Sequence, residues 1–555
     1  MTAPDPSTRI DAAPERRPGA AGWIVLALLL PYLALCVAGA LQTGTSWDES
    51  EHRRYGELAL DFYASLGHAR AAVTDKMHYY GALHAIAGAL AERALPFLGW
   101  PAARHLATVA FGLLALVYAV RLARLLGGPR AGFLAALLLV ATPRWTGDAF
   151  YNPIDVPSAG VFALALFHLA RIAVDPARAR TRDWVLFGLG TGLTLAVRTL
   201  GLLLFVDAAF ALGVWALFVA RPRGAVLRAS GARVVARVVA RLVLAGVVAA
   251  AAACAFWPRL LVEPFTAVAD SLAMTNKFPW TGTVFFRGQN VSGLELPRSY
   301  LPVWLGLTTP LATMLGLALG LIALARRRLA DAAPQRIALV AFAVLFPLAY
   351  AVASRATLYD GIRHFLFVLP PLSALAALGW SGVIAGSLAR TWRLVFRALL
   401  VAAVAEPLAW CARLHPLEYV YFNPFAGGLA RASQSYETDY WGLSLRAAAE
   451  WLSAFRKRSL DPERVLVVGT NAPWHLLEPW LDDPSRYRSI VLYTVADVRT
   501  HSFDLLLLSY RFQNFRLKGT EPLAEERLVE GQVPFWQIYA GPTLASDGGA
   551  ARDGR

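Results

Sequence analysis

The sequence predicts an α-helical multi-pass membrane protein with a C-terminal α/β domain outside the membrane. Of its 555 residues 57% are hydrophobic and 16% charged, with mean hydropathy +0.47. A soluble chain would need about 25% charged residues to cover its surface. Apolar runs of about 17–25 residues, each long enough to cross a bilayer, recur as far as Cys411. Arginine crowds every second connection between them, the pattern that sets membrane orientation. Lys and Arg number 53 against 38 Asp and Glu, a net +15. Much of this excess sits in short segments between apolar runs, so it speaks for topology and against nucleic-acid binding.

Residues 1–20, rich in Pro, Ala and Arg, read as a disordered cytoplasmic tail. Gly22 to Leu41 is the first span; Arg16 and Arg17 hold the N-terminus inside, and no small-residue cleavage site follows. An outer loop covers 42–104, and within it Tyr55, Gly56, Leu58, Leu60, Phe62, Tyr63 and Leu66 mark an amphipathic surface helix. Spans then run from His105 to Leu126, Ala131 to Thr146 and Val156 to Val174. Trp184 to Ala220 is too long for one span and divides at Arg198-Thr199-Leu200-Gly201, with Arg198 near the outer face. Leu242 to Trp257 leads to a second outer loop, 258–299, and Tyr300 to Ala325 returns to an arginine cluster. Ile337 to Ala353, Arg363 to Leu388 and Leu394 to Cys411 complete about eleven spans, N-terminus inside and C-terminus outside. The membrane domain is therefore 21–411 and the outer domain 412–555.

In that outer domain, Val465–Gly469, Ser489–Tyr493, Phe503–Leu508 and Phe535–Tyr539 read as strands, and Ser444–Arg456 as a helix. Cys36, Cys254 and Cys411 lie in or beside apolar runs, so no disulfide framework is implied. No internal repeat, Walker A loop or dinucleotide fingerprint is present.

Acids and bases gather on the outer face: Asp48 and Glu49, Lys76 with His78 and Tyr79, Asp148, Asp155, Arg198, Arg363 and His364. His415, Glu418 and Tyr421 follow at the junction with the outer domain. Taken singly each has a plain reading: Asp48, Glu49, Asp148 and Asp155 as helix caps, the arginines as snorkelling side chains. Together they pair carboxylates with cations at the lipid boundary, where acids are costly without a task. A carboxylate there can take a proton from a hydroxyl, and arginines at headgroup depth can grip a departing phosphate. A lipid-phosphate sugar donor needs both, plus a groove for its tail. No zinc-type His/Cys cluster appears; no cofactor is required, and a divalent cation would have to be held by the scattered carboxylates.

Trp47-Asp48-Glu49 in the first outer loop, Asn152-Pro153-Ile154-Asp155 in the second, and Arg363-His364 before Leu369-Pro370-Pro371 resemble the GT-C membrane glycosyltransferases. The likeness is to their protein-mannosyltransferase-like (family 39-like) branch. It covers most of 22–450 and implies inverting transfer of a sugar from a polyprenyl-phosphate donor, with Asp48 as base. His364 stands where that branch often has Tyr, and the outer domain is unlike the β-trefoil of eukaryotic members. The acceptor is expected to be a periplasmic glycan, lipid or protein, and the address a bacterial inner membrane. The alternatives are a transporter or lipid-linked sugar flippase, and a polysaccharide-assembly subunit without catalysis. A transporter should carry midplane charges and repeats, whereas here Asp207 is the main charged residue within a span.

Overall fold

The computed structural model describes residues 20–220, 229–276, 278–326, 333–385, 389–459, 461, 463–511, 520–528 and 533–546. The expected tail up to residue 19 lies outside the described residues, as does most of the arginine cluster after Ala325.

Helix α1 (Ala20–Gln42) is followed by α2 (Glu49–Ala64), a single turn α3 (Ala71–Thr74) and α4 (Leu83–Ala94), which fold the first outer loop into a small layer. Its core is Tyr55, Ala59, Phe62, Ala72, Val73, Ala82, Ala85 and Ile86, so the expected amphipathic helix forms on its 3.6-residue stripe. Leu66 is not part of the stripe: α2 has ended, its φ is 54°, and it is exposed. A Cβ at Gly56 would fall 2.2 Å from the Ala85 carbonyl oxygen, so glycine is what lets α2 meet α4.

The next element, α5 (Trp100–Val140), is two helices joined at Gly127-Gly128, where Gly128 takes φ 78° and Pro129 starts the second. The expected third span runs to Thr146, but the helix ends at Val140. Pro143, which has no N–H to continue the ladder, begins the buried α6 (Pro143–Tyr151). The chain continues through α7 (Asp155–Ile172), α8 (Thr181–Leu195), α9 (Gly201–Trp215) and α10 (Ala229–Cys254). The α8–α9 break falls at the expected Arg198 junction. The second outer loop is not irregular: it contains α11 (Pro258–Val262), α12 (Pro264–Asn276) and a hairpin of β1 (Thr283–Phe286) with β2 (Gln289–Ser292). Helices α13 (Tyr300–Thr308) and α14 (Leu311–Ala325) form one segment bent by 106° at Pro310. Then come α15 (Pro334–Ser354), a 3-10 stretch over Arg363–Val368, α16 (Leu369–Ala385) and α17 (Arg390–Leu414).

Seven helices among the described residues are long and apolar enough to cross a membrane, or eight if the bent pair is one span. Their centre is α5, which packs against α7 and α16. The C-terminal domain places the helix Leu445–Ser459 beside a five-stranded mixed sheet. Its strands are β3 (Leu466–Thr470), β4 (Tyr487–Val491), β5 (Leu505–Ser509), β6 (Ala524–Leu528) and β7 (Val533–Ala540), in the order β4-β3-β5-β7-β6. β3 runs parallel to β4 and β5; β7 is antiparallel to β5 and β6. The central β5 is buried throughout, which is why it reads as an unbroken apolar run.

Candidate active site

A cavity of about 370 Å³ opens between α7, α9, α12 and α15. Its polar end is formed by Tyr79, Tyr80, Asp155, Ser158, Arg198 and His364. The rest is mainly apolar, walled by Leu202, Leu203 and Val206 of α9 and Phe346, Pro347 and Tyr350 of α15, with Thr199, Ser271, Thr275 and Thr357 interspersed. Beneath it Phe210 stacks on Phe342 at 4.1 Å between ring centroids, closing α9 against α15.

Arg198 comes to the polar end because α8 stops at Leu195 and α9 restarts at Gly201, leaving it on the turn. Its Nη1 pairs with Asp155 Oδ1, while Nε and Nη2 have no hydrogen-bond partner among the described residues. Asp155 is aimed by Asn152, whose Nδ2 donates to Asp155 Oδ2 at 3.2 Å and whose Oδ1 accepts from Asp155 N at 2.9 Å. Asn152 Oδ1 also accepts from Ile154 N at 3.2 Å, so Asn152 holds the turn that leads into α7, while the Asp155 carboxylate is given to Arg198.

Beside the cavity runs a chain of alternating charge. Arg363 Nη1 donates to Asp48 Oδ2 at 3.2 Å, Arg363 Nε lies 3.1 Å from Asp360 Oδ2, and Arg511 Nη2 donates to Asp360 Oδ1 at 3.0 Å. The Arg363 guanidinium lies between the Tyr359 ring at 4.6 Å and the Trp441 ring at 4.5 Å, and Trp280 stacks behind Tyr359. Tyr359 also lines the cavity, so Arg363 stands one side chain behind the lining and Asp48 is paired to it there. Of the two carboxylates on Arg363, Asp48 is 35% exposed and Asp360 4%. Asp48 occupies the position before α2 yet makes no side-chain cap hydrogen bond, so the cap reading fails there.

The other expected residues divide. Glu49 turns inward: Oε1 accepts from Ser46 N at 2.6 Å and Oε2 lies 2.7 Å from His105 Nε2, so it braces the turn and does not reach the cavity. Lys76 is on the surface against Glu51, too far out for the cavity wall. His78 bonds the Asp75 carbonyl through Nδ1 and is outside the lining, whereas Tyr79 is part of it. Arg363 does not line the cavity either, its guanidinium being held by two carboxylates and two rings; Arg198 and His364 do. Asp148 is buried, accepting from Asn152 Nδ2 at 2.8 Å and Tyr151 OH at 3.2 Å, and burial pushes its carboxyl up to about 7.

His415 pairs with buried Glu418 at 2.7 Å, and Tyr421 OH donates to Glu406 Oε2 at 2.7 Å. This stretch packs on α6, where a Cβ at Gly147 would sit 2.6 Å from Tyr419 N, and it supports the bundle instead of lining the cavity. Ser158, Tyr359, Asp360 and Arg511 escaped the sequence reading, although the Tyr359-Asp360-Gly361 turn beside Arg363 offered a local signal. Among the described residues no group of three His, Cys, Asp or Glu side chains is placed to hold a metal ion. Asp48, Asp155 and Asp360 each already face a guanidinium, so this set does not suit a divalent cation.

The family model described as dolichyl-phosphate-mannose-protein mannosyltransferase matches residues 100–252. No curated protein sequence matches the chain. Among solved structures it is similar to ArnT from Cupriavidus metallidurans in the apo state, with TM-score 0.53 and 16% identity over 94% of this chain and 98% of that one. It is similar, too, to ArnT from the same organism bound to undecaprenyl phosphate, with TM-score 0.51 and 17% identity over 94% and 98%. At such identities the likeness is one of fold. The resemblance to the protein-mannosyltransferase-like GT-C membrane glycosyltransferases thus stands on two legs, the matched segment and the fold of the whole chain.

Proposed function

We propose that this chain is an integral-membrane glycosyltransferase that moves a sugar from a polyprenyl-phosphate donor to an acceptor hydroxyl, with Asp48 as general base. The cavity carries this reading: a polar end built on the Arg198–Asp155 pair adjoins a mainly apolar wall, and the partly exposed carboxylate of Asp48 is held by Arg363 beside the lining residue Tyr359. A polyprenyl phosphate has the same two parts, and undecaprenyl phosphate is bound by ArnT, which shares the fold.

In this reaction the acceptor O–H gives its proton to Asp48. Its oxygen bonds to the anomeric carbon as the bond from that carbon to the phosphate oxygen breaks. The polyprenyl phosphate leaves with the electron pair, and in-line displacement inverts the anomeric centre. Arg198 is the phosphate ligand in this scheme, since its uncommitted Nε and Nη2 form a fork that suits two phosphate oxygens. His364, Tyr79 and Ser158 supply further polar contacts at that end. Arg363 orients Asp48, a change from the phosphate role its sequence context suggested. The site is taken to face the outside of a bacterial inner membrane, with the 412–555 domain beside it and a glycan, lipid or protein as acceptor.

The test uses purified protein, a polyprenyl-phosphate sugar and extracted envelope acceptors. Transfer should be seen with the native chain and fall about 10²–10⁴-fold in Asp48→Asn, the range for a lost general base. Wild-type turnover by Asp48→Asn would end the base assignment.

A further inference from the structure

The C-terminal domain grips the segment that carries Asp48. Arg446 Nη1 donates to the Leu41 carbonyl at 2.7 Å and the Thr43 carbonyl at 3.2 Å. Thr45 Oγ1 donates to the Leu476 carbonyl at 3.2 Å and accepts from Trp480 Nε1 at 2.8 Å. A Cβ on Gly44 would lie 2.3 Å from the Leu443 carbonyl oxygen, so the two backbones touch. Arg511 lies 4.7 Å above the Trp47 ring and reaches Asp360.

Arg511 follows β5, the fully buried centre of the sheet, whose end is pinned by Asn471: Nδ2 donates to Ser509 O at 3.0 Å and Oδ1 accepts from Ser509 N at 2.7 Å. The guanidinium thus projects from a rigid strand end, and only 11% of the side chain is exposed. Asp360, its partner, sits at φ 58°, a backbone state in which a non-glycine residue needs support.

We infer that Arg511 is a positioning residue of the transfer site: it holds Asp360, Asp360 holds Arg363, and Arg363 holds Asp48. The C-terminal domain then completes the catalytic centre as well as standing over it. With Arg511 removed, Asp360 has Arg363 alone as its cation among the described residues, and the guanidinium is drawn from Asp48 toward it. This rests on Asp48 being the base, so the experiment has one arm that needs no turnover.

In that arm, hydrogen exchange of the full-length protein in detergent compares native chain with Arg511→Gln. Exchange over 43–49 and 357–362 should rise at least tenfold while α5 and α7 stay protected. In the kinetic arm, kcat of Arg511→Gln should fall on the order of tenfold, about 1.4 kcal/mol, with the donor KM unchanged. Arg511→Lys should recover part of the loss, and Asp360→Asn combined with Arg511→Gln should be no worse than Asp360→Asn alone. A native protein that transfers no sugar would defeat the function reading and leave the exchange arm to decide this one. Unchanged exchange over 43–49, or a kcat loss fully additive with Asp360→Asn, would overturn the positioning role.

Discussion

At the scale of single residues, Asp48 and Glu49 are adjacent carboxylates with opposite surroundings. Asp48 meets Arg363 with its side chain partly open, whereas Glu49 is 3% exposed and spent on Ser46 N and His105. Asp48→Asn should therefore cost turnover and little stability. Glu49→Gln should do the reverse, because a buried partner is left poorly matched: a loss of about 1–3 kcal/mol in thermal unfolding, with near-normal turnover per folded molecule. The arginines separate in the same way. Arg198→Ala should raise the donor KM at least tenfold in a transfer assay, through loss of the phosphate contacts. Arg363→Lys should lower kcat with KM held, since lysine keeps the charge and loses the fork between Asp48 and Asp360. Trp47-Asp48-Glu49 could be singled out from the sequence because acids beside an apolar span are costly. Which of the two stays partly open beside Arg363 could not be read from the residues alone, because that depends on His105, far along the chain on α5.

At the scale of elements, close helix packing explains much of the glycine in the bundle. On α8, a Cβ at Gly188 would lie 2.3 Å from the Ala245 carbonyl oxygen and one at Gly192 2.2 Å from that of Ala249, so this small-xxx-small face lets α8 touch α10. Gly192→Val should lower stability by about 1–3 kcal/mol through overpacking, read from the thermal midpoint in detergent. Gly246→Ala on α10, where the added methyl meets nothing within 4 Å among the described residues, is the control that should not destabilise. Helix α2 carries a pH signature. His52 is buried with both ring nitrogens unpartnered among the described residues, and burial pulls its pKa from 6.5 to about 4. The unfolded chain thus binds a proton below pH 6.5 that the folded chain refuses. Stability is full above that value and falls as pH drops toward 4, by up to about 3 kcal/mol. His52→Gln should flatten that limb of the melting profile. Long apolar helices and the 3.6-residue stripe of α2 were legible in the sequence. Helix α6 was not, since Thr146, Gly147 and Asp148 look like a loop until their burial is seen. Nor was β6, whose Ala524-Glu525-Glu526-Arg527-Leu528 has the polarity of an edge strand.

At the scale of the whole molecule, the sequence showed which residues share a face, but not which of them meet. Asp48 and Arg363 are 315 positions apart, and Asp360 and Arg511 are 151 apart, so neither pair leaves a local pattern. The opposite end of the bundle tells the same story. Arg171 and His168 both bond Asp183 at 2.8 Å, Arg241 donates to the Pro176 and Ala177 carbonyls, and Arg336 donates to the Ala170 carbonyl. Three connections that the arginine bias places inside therefore converge away from the cavity, and the arginine rule assigns that end to the cytoplasm. The orientation follows as a prediction, testable with Cys36, Cys254 and Cys411 replaced and single cysteines introduced at two exposed arginines. Arg488→Cys, on β4 of the C-terminal domain, should react with an impermeant maleimide in intact cells. Arg390→Cys, at the start of α17, should react only once the inner membrane is opened. Reversed labelling would turn Asp48 and the cavity toward the cytoplasm, so that a donor presented on the outer leaflet could not reach Arg198.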